Sequence, residues 1–167
     1  MDRHALRALQ APLRERYAAE PTAATAPLRA MADFRDDGVT CTVDGFAGPV
    51  RAGLHEATGG DGSDACSGDM LLEALLACAG VTLRSVATAM GLDVRSATLT
   101  AESAFDARGT LGISRDVPVG IGPATITVEL DVDADDAQLQ RLAASTERYC
   151  VVGQSLAHPP TVVVRRR

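Results

Sequence analysis

Four cysteines (Cys41, Cys66, Cys78 and Cys150) and three histidines (His4, His55 and His158) are the side chains of this 167-residue chain best suited to nucleophilic or metal chemistry. They contain no Cys-x-x-Cys and no closely spaced histidine pair, so their spacing does not support a zinc site. A serine hydrolase would need the nucleophile elbow Gly-x-Ser-x-Gly, which is missing. The acidic run Asp131–Asp136 lacks the glycine and terminal glutamate of a calcium loop and reads as a turn and helix start. Thiol chemistry remains. A thiolate attacks the O–O bond of a peroxide and becomes a sulfenic acid. A second cysteine then condenses with it before oxidation becomes irreversible.

Such chemistry needs an activated thiol. At its ordinary pKa of about 8.5 a thiol is only about 3% thiolate at pH 7. Lowering the pKa to about 6 takes roughly 3.4 kcal/mol of differential stabilisation. An arginine held by a carboxylate is the expected device. Asp69, Glu73 and Glu147 are candidate carboxylates, and Arg29, Arg35, Arg51, Arg84 and Arg148 candidate cations. The spacing alone does not choose among them.

The elements that must position these thiols follow from periodicity. Residues Leu6–Ala19 suit a short amphipathic helix, ended by "EPTAATAP". In "VTCTV", Val39, Cys41 and Val43 alternate with Thr40 and Thr42, which predicts a strand with those three residues on its buried face. "FAGPV" reads as a turn, and "GPVRAGLHEA" as the next strand. "TGGDGSDACSG" is a loop ending in a helix cap among Ser67–Asp69. Met70–Met90 is the first major helix, with Gly91 as its C-terminal cap. A strand follows in "LDVRSATLTAESAFDA", then a loop in "RGTLGISRDVPVGIGP". In "ATITVELDVDAD", Ile126, Val128, Leu130 and Val132 share one face. "DADDAQLQRLAASTERYC" is the second major helix, with acidic residues at its positive end, and "PTVVVR" is a last strand. The order predicts an α+β fold with antiparallel sheet. No glycine-rich phosphate loop follows a strand.

The first major helix is apolar nearly all round and must be covered on most sides, which predicts a dimer interface. Ala74, Cys78, Thr82 and Ser85 form a stripe of small residues on it. Taken singly, Cys78 and Cys150 are ordinary small core residues. As a pair they sit on helical apolar faces, and if those faces meet, the sulfurs approach disulfide range. Cys66, just before the helix, is an inert loop cysteine or a third reactive thiol, and Cys41 is a core residue.

Composition limits the partners. Apolar residues make up 46% of the chain, enough for a core; aromatic residues make up 3%, which disfavours stacking on nucleic-acid bases. A formal charge of −6 argues against binding DNA or RNA phosphates, and Arg165–Arg167 is a solvated tail. The N-terminus has no signal-peptide core, so a cytoplasmic location is expected, where paired cysteines are catalytic or redox-sensing. Met70–Met90 could span a bilayer by length, but Glu73 and Arg84 favour a buried helix and no membrane association.

"CSGDMLLEALLACAGVTLRSVA", "FDARGTLG" and "TERYCVVGQSL" together resemble the OsmC/Ohr family, and "RYCVV" at the second cysteine resembles an OsmC-like subgroup. The resemblance covers roughly Arg29 to the C-terminus. It implies a single OsmC-like domain over residues 1–167, with residues 1–26 as an N-terminal helical extension. It also implies an intertwined homodimer, with antiparallel sheets packed on two long central helices. The implied activity is a thiol-dependent peroxidase acting on organic hydroperoxides. Cys78 would be the peroxidatic cysteine, Cys150 the resolving one, and Asp69 a possible carboxylate partner where the family usually has glutamate. No cofactor or metal is implied; an external dithiol donor, such as a lipoylated or thioredoxin-like protein, would supply electrons. The chain departs from the family pattern at Cys150-Val151-Val152, where Cys-Pro-Val is common, and in the loop that usually carries an active-site arginine. The alternative is a non-catalytic relative: a dimeric module that binds small apolar electrophiles, or a redox sensor.

Overall fold

In the computed structural model, which describes residues 1–167, the alternation of Ile126, Val128, Leu130 and Val132 becomes the inward face of a strand, each side chain between 0% and 6% exposed. The chain forms two compact units. The first comprises Met1–Pro27, Leu75–Glu102 and Pro123–Arg167. Its sheet has the order β5 (Val94–Glu102), β6 (Thr125–Val132) and β7 (Thr161–Arg166). β5 and β6 pair antiparallel, but β6 and β7 pair parallel. The purely antiparallel expectation therefore fails here, because α4 (Asp136–Tyr149) carries the chain back across the sheet, the kind of crossover a parallel pair requires.

α4 starts at Asp136, three residues after the expected Asp133. Asp135 accepts from the Gln138 backbone N–H at 2.6 Å while the Gln138 side chain accepts from the Asp135 N–H at 2.8 Å, a reciprocal capping box. Leu139, Leu142 and Thr146 line its buried face. The Thr146 hydroxyl, fully buried, donates to the Leu142 carbonyl at 2.8 Å and so carries no unpaired polar atom inward. At the far end Glu147 Oε1 accepts from the Val162 N–H at 2.7 Å, tying the helix to β7.

α2 runs over Ser67–Met90, three residues earlier at its start than the periodicity predicts, and ends at Gly91, whose φ of +74° suits glycine. Leu75, Ala79, Leu83 and Ala87, every fourth residue, form a stripe no more than 2% exposed. The helix is long and apolar enough to cross a membrane by length and composition. Only this one stripe is buried within the chain, so the expectation of a helix covered on most sides is not met by a single copy. Ala74, Ala77 and Val81 face outward, Val81 at 74% exposure. α1 (Arg3–Ala19), capped by Asp2, buries no residue at all.

The second unit comprises Leu28–Ala74 and Ser103–Gly122. Its sheet has the order β1 (Ala32–Asp33), β2 (Cys41–Gly45), β3 (Gly48–Gly53) and β4 (Ala65–Cys66), with β3 and β4 parallel. In β2 the buried residue is Thr42, not its neighbours: Thr42 is 4% exposed, Cys41 and Val43 are half-buried, and Val39 lies outside the strand at 73% exposure. The inversion has a polar cause. The Thr42 hydroxyl donates to Asp36 Oδ2 at 2.5 Å, so its inward position is hydrogen-bonded. A short helix, α3 (Ala107–Thr110), occupies the stretch read as loop. Gly60 is required by close approach, since a Cβ there would fall 1.7 Å from the Leu54 carbonyl oxygen.

Candidate functional site

Cys78 stands on α2 at the shoulder of the buried stripe and is partly exposed. Cys150 is 1% exposed and occupies the joint between α4 and a short final helix, α5 (Val151–Gln154). The joint is held by its own backbone. The Cys150 N–H donates to the Thr146 carbonyl at 3.0 Å, closing α4. Its Sγ accepts from the Gly153 N–H at 3.3 Å, opening α5. Gly153 fits tightly: a Cβ there would lie 3.2 Å from the Pro160 ring and 3.3 Å from the Cys150 sulfur. Both cysteines are free thiols.

The two sulfurs are neighbours, and their surroundings push them apart in acidity. Burial raises the Cys78 pKa, but the Val152 N–H, the Cys150 thiol, the Val151 N–H and the Thr82 hydroxyl outweigh it, and the net shift is downward. The two amides belong to the first turn of α5, where backbone N–H groups have no partner within the helix and favour a nearby negative charge. Cys150 moves the other way. Burial raises its pKa, the Gly153 N–H lowers it, and the neighbouring Cys78 raises it again, as the pair cannot readily carry two negative charges. The arrangement is a partly exposed thiol made more acidic beside a buried thiol made less so.

The sequence reading missed the Val151 and Val152 amides, because backbone donors leave no side-chain signature. The only available signal was the position of "VVG" immediately after Cys150. Two of the candidate arginines are held by carboxylates, and the other three have other partners. Arg35 pairs with Asp33 and Asp44, Arg51 with Asp64, and Arg84 donates to the Val94 carbonyl at 3.1 Å. Arg148 lies 5.5 Å over the Tyr149 ring, and Arg29 donates to the Met31 sulfur at 3.2 Å. Glu147 is held on β7 as described, and Glu73 is exposed. Asp69 lies nine residues before Cys78 on the same helix, about 14 Å along its axis.

Asp69 and Cys66 instead line a hollow of about 300 Å³ in the second unit, with His55 and Phe105. The His55 ring meets Phe105 edge-on, with centroids 5.2 Å apart. His55 Nδ1 accepts from the Ala57 N–H at 3.0 Å. Cys41 is half-buried on β2.

The sequence profile of the OsmC-like protein family matches residues 60–165, a span that includes both cysteines. No curated protein matches the chain. Solved structures share the fold. An OsmC-like protein of unknown function from Vibrio cholerae superposes with a TM-score of 0.66 at 12% identity, covering 86% of this chain and 100% of its own. The organic hydroperoxide resistance protein OsmC from Legionella pneumophila gives 0.66 at 14% identity, covering 85% and 98%. The organic hydroperoxide resistance protein OhrB of Bacillus subtilis gives 0.56 at 16% identity, covering 85% and 100%.

Proposed function

The chain belongs to the OsmC-like protein family, and from that premise we propose that it is a thiol-dependent peroxidase that reduces organic hydroperoxides through Cys78 and Cys150. The observation that carries this reading is a pair of free thiols that interact, a partly exposed Cys78 on α2 and a buried Cys150 at the α4–α5 joint, whose surroundings shift their acidity in opposite directions. The Cys78 thiolate attacks the terminal peroxide oxygen. The O–O bond breaks, a sulfenic acid forms on Cys78, and the alkoxide leaves and takes a proton to become the alcohol. The Cys150 thiol then attacks the Cys78 sulfur, forming an S–S bond and releasing water. An external dithiol returns both sulfurs to thiols by two exchange steps and is itself oxidised to a disulfide. The Val151 and Val152 amides and the Thr82 hydroxyl hold the charge on Cys78 before attack. In this reading the protein is cytoplasmic and a homodimer, and the outward apolar face of α2 supports the second of these.

A second reading, a non-catalytic protein that binds small electrophiles or senses redox state, is favoured by one observation. The groups that favour the Cys78 thiolate are neutral donors, whereas rapid peroxide cleavage gains from a cation beside the thiolate.

One equivalent of an organic hydroperoxide added to reduced protein, followed by intact and peptide mass analysis without reductant, separates the two. Rapid loss of two hydrogens, mapped to a Cys78–Cys150 bridge and reversed over many cycles by a dithiol donor, is the result expected of the peroxidase. Slow oxidation scattered over Cys41 and Cys66, with no bridge, would overturn it and leave the binding role.

A further inference from the structure

An S–S bond offers two sulfurs to an incoming thiolate, and access decides between them as well as acidity. The two ends of a Cys78–Cys150 bridge are not equally open. Cys78 is partly exposed on α2, whereas Cys150 is 1% exposed. The turn that carries Cys150 is also tied down. The Gly153 N–H donates to Cys150 Sγ at 3.3 Å, and the Gln154 N–H donates to the Cys150 carbonyl at 2.9 Å. The Gln154 side-chain amide donates to the Glu147 carbonyl at 2.8 Å, and the Ser155 hydroxyl donates to the Val151 carbonyl at 2.8 Å. Pro160 closes on Gly153 so tightly that a Cβ there would meet its ring at 3.2 Å. A thiolate reaching Cys150 needs α5 to open. One reaching Cys78 does not.

We propose that the external dithiol enters at the Cys78 sulfur, and that Cys150 is the first leaving group, received in place by the Gly153 amide of the α5 turn. The inference rests on the Cys78–Cys150 bridge of the proposed reaction. One thiolate of the donor attacks Cys78 Sγ. The bridge breaks, an S–S bond forms between donor and Cys78, and Cys150 leaves with the electron pair and takes a proton. The donor's second thiol then attacks the donor sulfur, closes the donor disulfide and releases Cys78 as a thiolate. Acidity alone argues for the opposite order, because the more acidic Cys78 is the better leaving group in the first exchange. Two features offset this. The neighbouring Cys78 is one cause of the raised Cys150 pKa, and Cys78 carries no charge while bonded to the donor. The Gly153 and Val152 amides, which favour the Cys150 thiolate, remain in place. In the second exchange Cys78 is the leaving group, and there its acidity speeds release of the donor.

The test starts from full-length protein bridged with diamide, an oxidant of thiol pairs, so it does not depend on hydroperoxide chemistry. The bridged protein meets excess glutathione, a monothiol that forms mixed disulfides. The reaction is stopped in acid at a series of early times and its peptides are mapped by mass. Glutathione should sit on Cys78, with Cys150 a free thiol, in roughly tenfold or greater excess over the reverse. Glutathione on Cys150, or an even split at the earliest times, would overturn the proposal and leave the peroxidase reading standing. Failure of diamide to bridge Cys78 and Cys150 would overturn both. Gln154→Ala, which cuts one tie of α5, supplies a second measurement. Reduction of its bridge by dithiothreitol should stay within about twofold of the unaltered rate, because attack at Cys78 needs no opening. A rise of roughly tenfold would show that opening of α5 limits the attack. That result places the attack at Cys150 and overturns the proposal.

Discussion

The sulfur of Cys78, midway along α2, lies beside the sulfur of Cys150, in the joint between α4 and α5, and each alters the other's hold on its proton. The pair is brought together by three elements far apart in sequence. α2 presents Cys78 from the edge of a stripe anchored by Leu75, Ala79 and Leu83. α4 delivers Cys150 at its end, and the first amides of α5 turn toward the Cys78 sulfur.

Their roles are separable by substitution. Cys78→Ser should abolish hydroperoxide consumption, whereas Cys150→Ser should still react once and stop as a sulfenic acid. Intact mass should show a single added oxygen on the Cys150→Ser protein, and a dimedone adduct should map to Cys78. Equal inactivation with no sulfenic acid in either variant would contradict the assignment.

The pH dependence has a definite sign. A thiol with a lowered pKa carries more thiolate at neutral pH, so Cys78 should react with a small alkylating reagent along a curve whose midpoint lies below that of the same thiol in the unfolded chain. Cys150 should titrate above it. Thr82→Val removes one of the donors and should move the Cys78 midpoint upward while leaving the urea midpoint nearly unchanged. An unmoved midpoint would remove Thr82 from the site.

Gly153→Ala tests the tightness of the α5 turn. The added methyl would press on the Pro160 ring at 3.2 Å and on the Cys150 sulfur at 3.3 Å. It should cost about 1–3 kcal/mol by overpacking and slow bridge formation more than it slows the first oxidation of Cys78. Stopped-flow traces of the two phases would read this directly.

Asp135→Ala breaks the capping box of α4 and should cost about 1 kcal/mol in chemical denaturation. The box is at the far end of the helix from Cys150. The alkylation profile of Cys78 should therefore be unchanged in the folded protein, which separates support of the scaffold from tuning of the thiol.

Periodicity by itself determined the long elements. Four alternating aliphatics from Ile126 to Val132 have one arrangement that buries them all, and the apolar stretch Met70–Met90, ending at glycine, has one natural stop. The acidic residues before α4 marked its positive end in the same local way, although the capping box of Asp135 and Gln138 set its start. Motif and spacing also singled out Cys78 and Cys150, since few long helices were available to carry a pair. What only the tertiary structure decided depends on groups without a sequence pattern or on distant partners. Thr42 turned inward because Asp36 was there to accept its proton. The parallel pairing of β6 and β7 depended on where α4 returned the chain. The backbone amides of α5 that lower the Cys78 pKa had no sequence signal, because every residue but proline carries one and it acts only where folding aims it.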